Sequence, residues 1–163
     1  MNYKRLGSMA LMLLLLVFPV SASMVSFLLV ETGLKEEVPS TQYTSVWEGG
    51  LMAAFFDAGH IVTNGPIARM ETRPPMDFTG FLKDDFDEAI LGGAEYFILG
   101  FLEYQILGGK PFPVGIVLKI YTTDSQILVH EQSFTAGTGN NFDEEFKIAQ
   151  NAGWAMISYI KER

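Results

Sequence analysis

The run FFDAGHIVTN, Phe55 to Asn64, constrains the fold more than any other part of the chain, because it ends a helix and starts a strand almost at once. Upstream of it Trp47, Leu51, Ala54, Phe55 and Ala58 recur at helical spacing and form one apolar face, with Glu48 and Asp57 off that stripe. Ser45 with Glu48 three residues on has the form of a capping box and predicts the helix start. Gly59 predicts its stop, since a glycine takes positive φ without a Cβ clash. His60-Ile61-Val62 then reads as a strand closed by the turn Asn64-Gly65-Pro66. Before the helix stands Met24 to Glu31, an apolar, β-prone run ending at Thr32-Gly33. Strand, helix, strand in that order predicts a parallel or mixed sheet with its crossover helix on one face.

The remaining chain continues the pattern. Asp84 to Glu95 predicts a second helix, with Phe86, Ile90, Leu91 and Ala94 as its apolar side and Asp84, Asp85, Asp87 and Glu88 crowding the end that the helix dipole makes positive. Tyr96 to Ile106 is apolar on both faces at first and then alternates, as a central strand does when one face becomes polar. Leu107 to Pro111 reads as a loop, Val114 to Thr122 and Gln126 to Phe134 as an antiparallel hairpin, and Phe142 to Lys161 as a final helix capped by Asn141. Phe142, Phe146, Ala149, Gly153 and Ile160 are its expected buried stripe. The expectation is a single α/β (α+β) domain over residues 24–163, a mixed sheet of about five strands with about three helices in the order β-α-β-α-β-β-β-α.

Residues 1–23 stand apart from that domain. Lys4 and Arg5, the apolar run Leu6 to Val20 and the small residues Ser21-Ala22-Ser23 have the form of a Sec-type signal peptide cleaved after Ala22 or Ser23. The alternative is an uncleaved anchor extended by Met24 to Val30, which would make the protein a structural envelope component in contact with the membrane. The chain has no cysteine, which removes disulfides, thiolate metal sites, thiol nucleophiles and a lipidated cysteine. Its net charge is −8, and removal of Lys4 and Arg5 makes the rest more acidic still. Nucleic acid is therefore excluded as an expected partner, because phosphate binding needs concentrated positive charge.

Residues 63–83 form a long stretch without periodicity, and Pro66, Pro74 and Pro75 bar a long helix or central strand from it. Loops of this length in compact domains are commonly functional. Arg69, Met70, Arg73, Met76 and Phe78 make it a candidate partner-binding element, the alternative being that its apolar residues tie it down over the core. Glu103, Lys119 and Tyr121, on the polar side of the sheet, form a second candidate surface. For catalysis only His60 and His130 offer an imidazole, and no metal motif links them. A small-ligand or hydrolase site at His60 and Asp57 is the alternative to binding. No nucleophile elbow, calcium loop or phosphate loop is present, so the sequence implies neither metal nor cofactor.

Three segments carry a family resemblance. The run Trp47 to Val62, in which the helix ends FFDAGH, resembles the helix and strand of the periplasmic curli-secretion lipoproteins and of the periplasmic activators of penicillin-binding proteins. Gly93-Ala94-Glu95-Tyr96-Phe97-Ile98-Leu99-Gly100 is similar to their entry into a central strand, and Lys119 to Leu128 to their hairpin. The resemblance implies a mixed-sheet domain that works by binding other envelope components, without catalytic residues. It departs from those families in having no lipidation cysteine and no arginine at the end of the second strand. The expected function is thus a non-catalytic bacterial domain, periplasmic or secreted, that binds a protein or envelope component.

Overall fold

The computed structural model describes residues 22–39, 41–137 and 141–160. Residues 1–21, most of the expected signal peptide, lie outside the described residues, as do the Ser40 connection, most of the Gly137 to Asn141 turn, and Lys161. No helix among the described residues is long and apolar enough to cross a membrane.

The elements are β1 (Met24–Thr32), α1 (Gln42–Asp57), β2 (Ile61–Asn64), β3 (Ala68–Met70), α2 (Phe81–Leu91), β4 (Tyr96–Leu107), β5 (Lys110–Thr122), β6 (Leu128–Thr135) and α3 (Phe142–Ile157). They build the expected single mixed-sheet domain, with one more strand than predicted. The sheet runs β2-β1-β4-β5-β6, with β3 also on β1. β1 is parallel to β2, β3 and β4, while β4, β5 and β6 are antiparallel. Met24 to Val30 is taken up inside this sheet, which explains its apolarity: β1 is hydrogen-bonded on both edges and buried on both faces.

Helices α1 and α3 cover one face. Trp47, Leu51, Ala54 and Phe55 are fully buried there against Phe27, Leu29, Ile98 and Leu118. The two helices approach through small residues: a Cβ on Gly50 would lie 2.7 Å from that of Ala149, and one on Gly153 2.7 Å from that of Ala54. Contacts that advance in step, Gly50 with Ala149 and Ala54 with Gly153, make the helices parallel. Buried Glu145 on α3 accepts from Trp47 Nε1 at 3.0 Å, tying the helices across their N-terminal ends. α2 covers part of the other face, burying Leu82, Phe86 and Ala89 on Leu28, Val30, Phe97 and Leu99.

α1 and α2 stop by the same device. Gly59 (φ 90°) follows α1, with Gly59 N–H donating to Phe56 and His60 N–H to Phe55. Gly93 (φ 83°) follows α2, with Gly93 N–H donating to Ile90 and Ala94 N–H to Ala89. Both are Schellman closures that send the chain straight into a strand.

Four expectations need correction. Ser45 lies inside α1, whose N-cap is Thr41, so Ser45 and Glu48 form no capping box. α2 begins at Phe81, which leaves only Asp84 of the acidic run in its first turn; Leu91 is exposed and Leu82 takes the core position. Leu107 to Pro111 is a two-residue hairpin rather than a loop, because Gly108 and Gly109 both take positive φ and allow Leu107 to pair with Lys110. On α3, Phe142 and Phe146 face outward; Glu145, Ala149, Ala152, Gly153 and Met156 form the buried stripe. The Asn141 cap is present, its side chain accepting from Asp143 N–H at 2.9 Å.

Candidate functional site

The long loop is more structured than its prolines suggest. β2 pairs with the first half of β1, Gly65-Pro66-Ile67 interrupts, and β3 pairs with Val30 to Thr32 further along the same edge. An edge strand tolerates that interruption, since proline's missing N–H there breaks no central ladder. β3 alternates: Ala68 and Met70 pack on the α2 side of the sheet, while Arg69 is directed to the α1 side.

Arg69 therefore enters a buried polar network. Its Nε donates to Glu31 Oε2 at 2.8 Å, its Nη2 forms an ion pair with the same oxygen, and its Nη1 reaches the Val38 carbonyl. Glu31 is 0% exposed and Arg69 18%. Thr44 Oγ1 donates to Glu31 Oε1 and lies 2.7 Å from Tyr104 Oη, which lies 2.7 Å from Thr41 Oγ1. A carboxylate only accepts, so the donor order is fixed as Thr41 to Tyr104 to Thr44 to Glu31. Burial pushes the Tyr104 hydroxyl up to about 12, against the opposing effect of its hydrogen bonds with Thr41 and Thr44. This network holds β1, β3, β4 and α1 together.

After Met70 the chain runs across the α2 side of the sheet, over the parts of β4, β5 and β6 that α2 leaves uncovered. Arg73 lies over the ring of buried Phe101, 4.9 Å from its centroid, and pairs with Glu131 at 3.2 Å. Lys119 donates to Asp77 at 2.6 Å and pairs with Glu131 at 3.4 Å. Tyr121 also donates to Asp77. Burial raises the Tyr121 hydroxyl well above its ordinary value, helped by the Asp77 hydrogen bond and charge, so it stays a neutral donor. Phe78 packs on Tyr121 and Phe86 with ring centroids 4.7 and 4.4 Å away.

Two clefts flank this charged cluster. One of about 300 Å³ is lined by Thr32, Glu71, Arg73, Phe101, Glu103 and Val117. The other, of about 460 Å³, is lined by Pro75, Met76, Phe78, Lys119, Tyr121 and Leu128. The structure thus brings Arg73, Met76, Phe78, Glu103, Lys119 and Tyr121 onto one face. Met76, 67% exposed, is its apolar projection, while Lys119 and Tyr121 are buried beneath it. Met70 packs into the α2-side core, and Arg69 lies on the opposite side of the sheet. Asp77 and Glu131 complete the cluster. Sequence reasoning missed both, although Glu131 lies on the same face of its strand as Ser133, two residues on.

The histidines lie elsewhere. His60 sits by the Phe55 ring at 6.0 Å, and Asp57 accepts from Gln150 at 3.5 Å. His130 stacks on Tyr159 with centroids 3.5 Å apart and planes 10° from parallel. Among the described residues no three His, Asp or Glu side chains are grouped to hold a metal ion.

No family model matches the chain, and no curated protein does. Solved structures are similar to it. A PelC dodecamer from Paraburkholderia phytofirmans is similar at TM-score 0.50 and 13% identity, over 88% of this chain and 91% of that one. Lipoprotein GNA1162 from Neisseria meningitidis is similar at 0.46 and 12%, over 84% and 98%. TolB from Acinetobacter baumannii is similar at 0.42 and 8%, over 86% of this chain and 29% of that one. At 13% identity the PelC likeness is one of fold alone.

Proposed function

We propose that this chain is a non-catalytic domain of the bacterial cell envelope, exported by its N-terminal segment, that binds a protein partner through the open face of its sheet. The observation that carries the reading is the juxtaposition of two surfaces distant in sequence. The loop lays Arg73, Met76 and Phe78 against Lys119 and Tyr121 of β5, leaving an apolar projection ringed by charges. A partly exposed arginine on an aromatic ring beside an exposed methionine is the composition that protein interfaces favour. The PelC chains of similar fold assemble into a dodecamer, so this architecture is compatible with large protein contacts. The signal-peptide pattern of residues 1–23 supports export.

Photo-crosslinking in intact cells tests the reading. A crosslinker at Met76 should capture a specific protein, and one at exposed Phe56 on the α1 face should not. Arg73→Glu should abolish the Met76 product. Equal capture from both positions would remove the open face from consideration. Turnover of a hydrolase substrate by the purified protein, lost in His60→Ala, would replace the binding role with an enzymatic one.

A further inference from the structure

We infer that the free edge of β6 pairs with β6 of a second copy of this chain, antiparallel, about a two-fold axis at Ser133. This goes beyond the binding role proposed above and does not rest on it. The sheet has two edges. The first is broken between β2 and β3 at Gly65-Pro66-Ile67. The second, β6, contains no proline, glycine or lysine, and among the described residues nothing pairs with its outer side. Unpaired strand edges of this kind are templates for another strand unless something guards them.

Backbone geometry says which groups are free. β5 and β6 keep one register from Gly115 with Thr135 to Ile120 with His130, and Ala136 N–H donates to the Val114 carbonyl at 3.1 Å. Alternation along an antiparallel ladder turns His130, Gln132 and Phe134 inward to β5, and the N–H and C=O of Glu131, Ser133 and Thr135 outward. The register then shifts between Ile120 and Tyr121, leaving Val129 as a bulge residue that ends the regular edge. The usable edge is His130 to Ala136. Two antiparallel copies of that run overlap in full only with Ser133 opposite its equivalent, Glu131 opposite Thr135 and Gln132 opposite Phe134.

The charge that would guard the edge is compensated within its own copy. Glu131 is the one carboxylate on this run, and Arg73 and Lys119 lie 3.2 and 3.4 Å from it. In the inferred register the two Glu131 carboxylates stand about 14 Å apart, four residues along the strand, and each faces a threonine hydroxyl. Joining β6 to the first edge would instead make an open, non-closing array, and the break at Pro66 opposes it.

The chain has no cysteine, so introduced thiols report the register directly. Paired residues of this type have Cα atoms about 5.5 Å apart, within the span of a disulfide. Mild oxidation of cells expressing the full chain should convert Ser133→Cys to a species of doubled mass, reversed by reductant. Glu131→Cys and Thr135→Cys should each remain at least tenfold less linked alone, and should link to one another when coexpressed. Failure of Ser133→Cys to link would overturn the inference. So would equal self-linking by all three variants, or a Ser133→Cys adduct with a different protein, which would make the edge an acceptor for a foreign strand.

Discussion

Arg69→Met should destabilise the domain by about 3 kcal/mol or more, because it strips the counter-ion from a carboxylate with no access to water. Glu31 is 0% exposed and its remaining described partner would be the Thr44 hydroxyl. Breaking a buried ion pair from one side costs about 3–5 kcal/mol, and the 18% exposure of Arg69 places this pair near the lower bound. A domain of this size has a total stability of about 5–15 kcal/mol. The melting temperature should therefore fall by about 6–12 °C. Guanidinium unfolding followed by tryptophan fluorescence measures the change, since Trp47 is fully buried. The control is Glu31→Gln with Arg69→Met, which removes the charge yet keeps an acceptor for Thr44. It should recover most of the loss. An unfolding midpoint for Arg69→Met within error of the parent, or a double variant no more stable than Arg69→Met, would refute the view of Arg69 as the counter-ion that makes Glu31 tolerable.

Other substitutions read other parts of the structure. Arg73→Ala should cost less than about 1 kcal/mol, because its ion pair with Glu131 is exposed at both ends, 36% and 40%; the Met76 crosslink should nevertheless weaken, and unchanged capture would count against the open face. Gly50→Ala should destabilise by about 1–3 kcal/mol despite alanine's better helix propensity, since the new Cβ would meet the Phe146 carbonyl and Ala149. Tyr104 links stability to alkaline pH. Its folded-state pKa of about 12 exceeds the unfolded value near 10, so its contribution is intact below pH 10 and is lost as pH rises through 12. Tyr104→Phe should cost about 1–3 kcal/mol at neutral pH by breaking the relay from Thr41 to Glu31, and its unfolding free energy should converge on the parent's between pH 10 and 12. Parallel curves would place the titration elsewhere.

The fold was legible where local and long-range demands coincide. The buried stripe of α1, the positive-φ stop at Gly59 and the uninterrupted apolar run of β4 each follow from a period or a backbone conformation that few residues satisfy. Boundaries were less legible where tertiary contacts override them. α1 begins three residues before Ser45, with Thr44 inside it donating to Glu31, a partner that local spacing cannot show. β5 begins at Lys110 although Pro111 and Pro113 lie in it, because the Gly108-Gly109 turn fixes its register against β4. α3 hides its inner face from pattern reading, since apart from Met156 that face is glycine, alanine and a glutamate, while its phenylalanines point outward.

The candidate site shows the same division in its two arginines. Arg69 and Arg73 stand four residues apart, and in sequence they form one basic feature of one loop. In the structure they serve opposite sides of the sheet. Arg69 obeys the alternation of β3 and is drawn to Glu31, whose burial in β1 demands a cation. Arg73 follows the bend after Met70 and settles on Phe101 and Glu131, residues that only the β4-β5-β6 register brings within reach. Period-2 alternation would have placed them together had the strand continued, so the separation is caused by where β3 ends. It also separates their roles. A cation committed to a buried carboxylate cannot be exchanged for a partner's charge without the cost of exposing or neutralising Glu31, whereas the half-exposed Arg73–Glu131 pair can be traded at little cost. On this reasoning the open face, not the whole loop, is where a partner would be recognised, and Arg73 is the residue whose replacement separates recognition from folding.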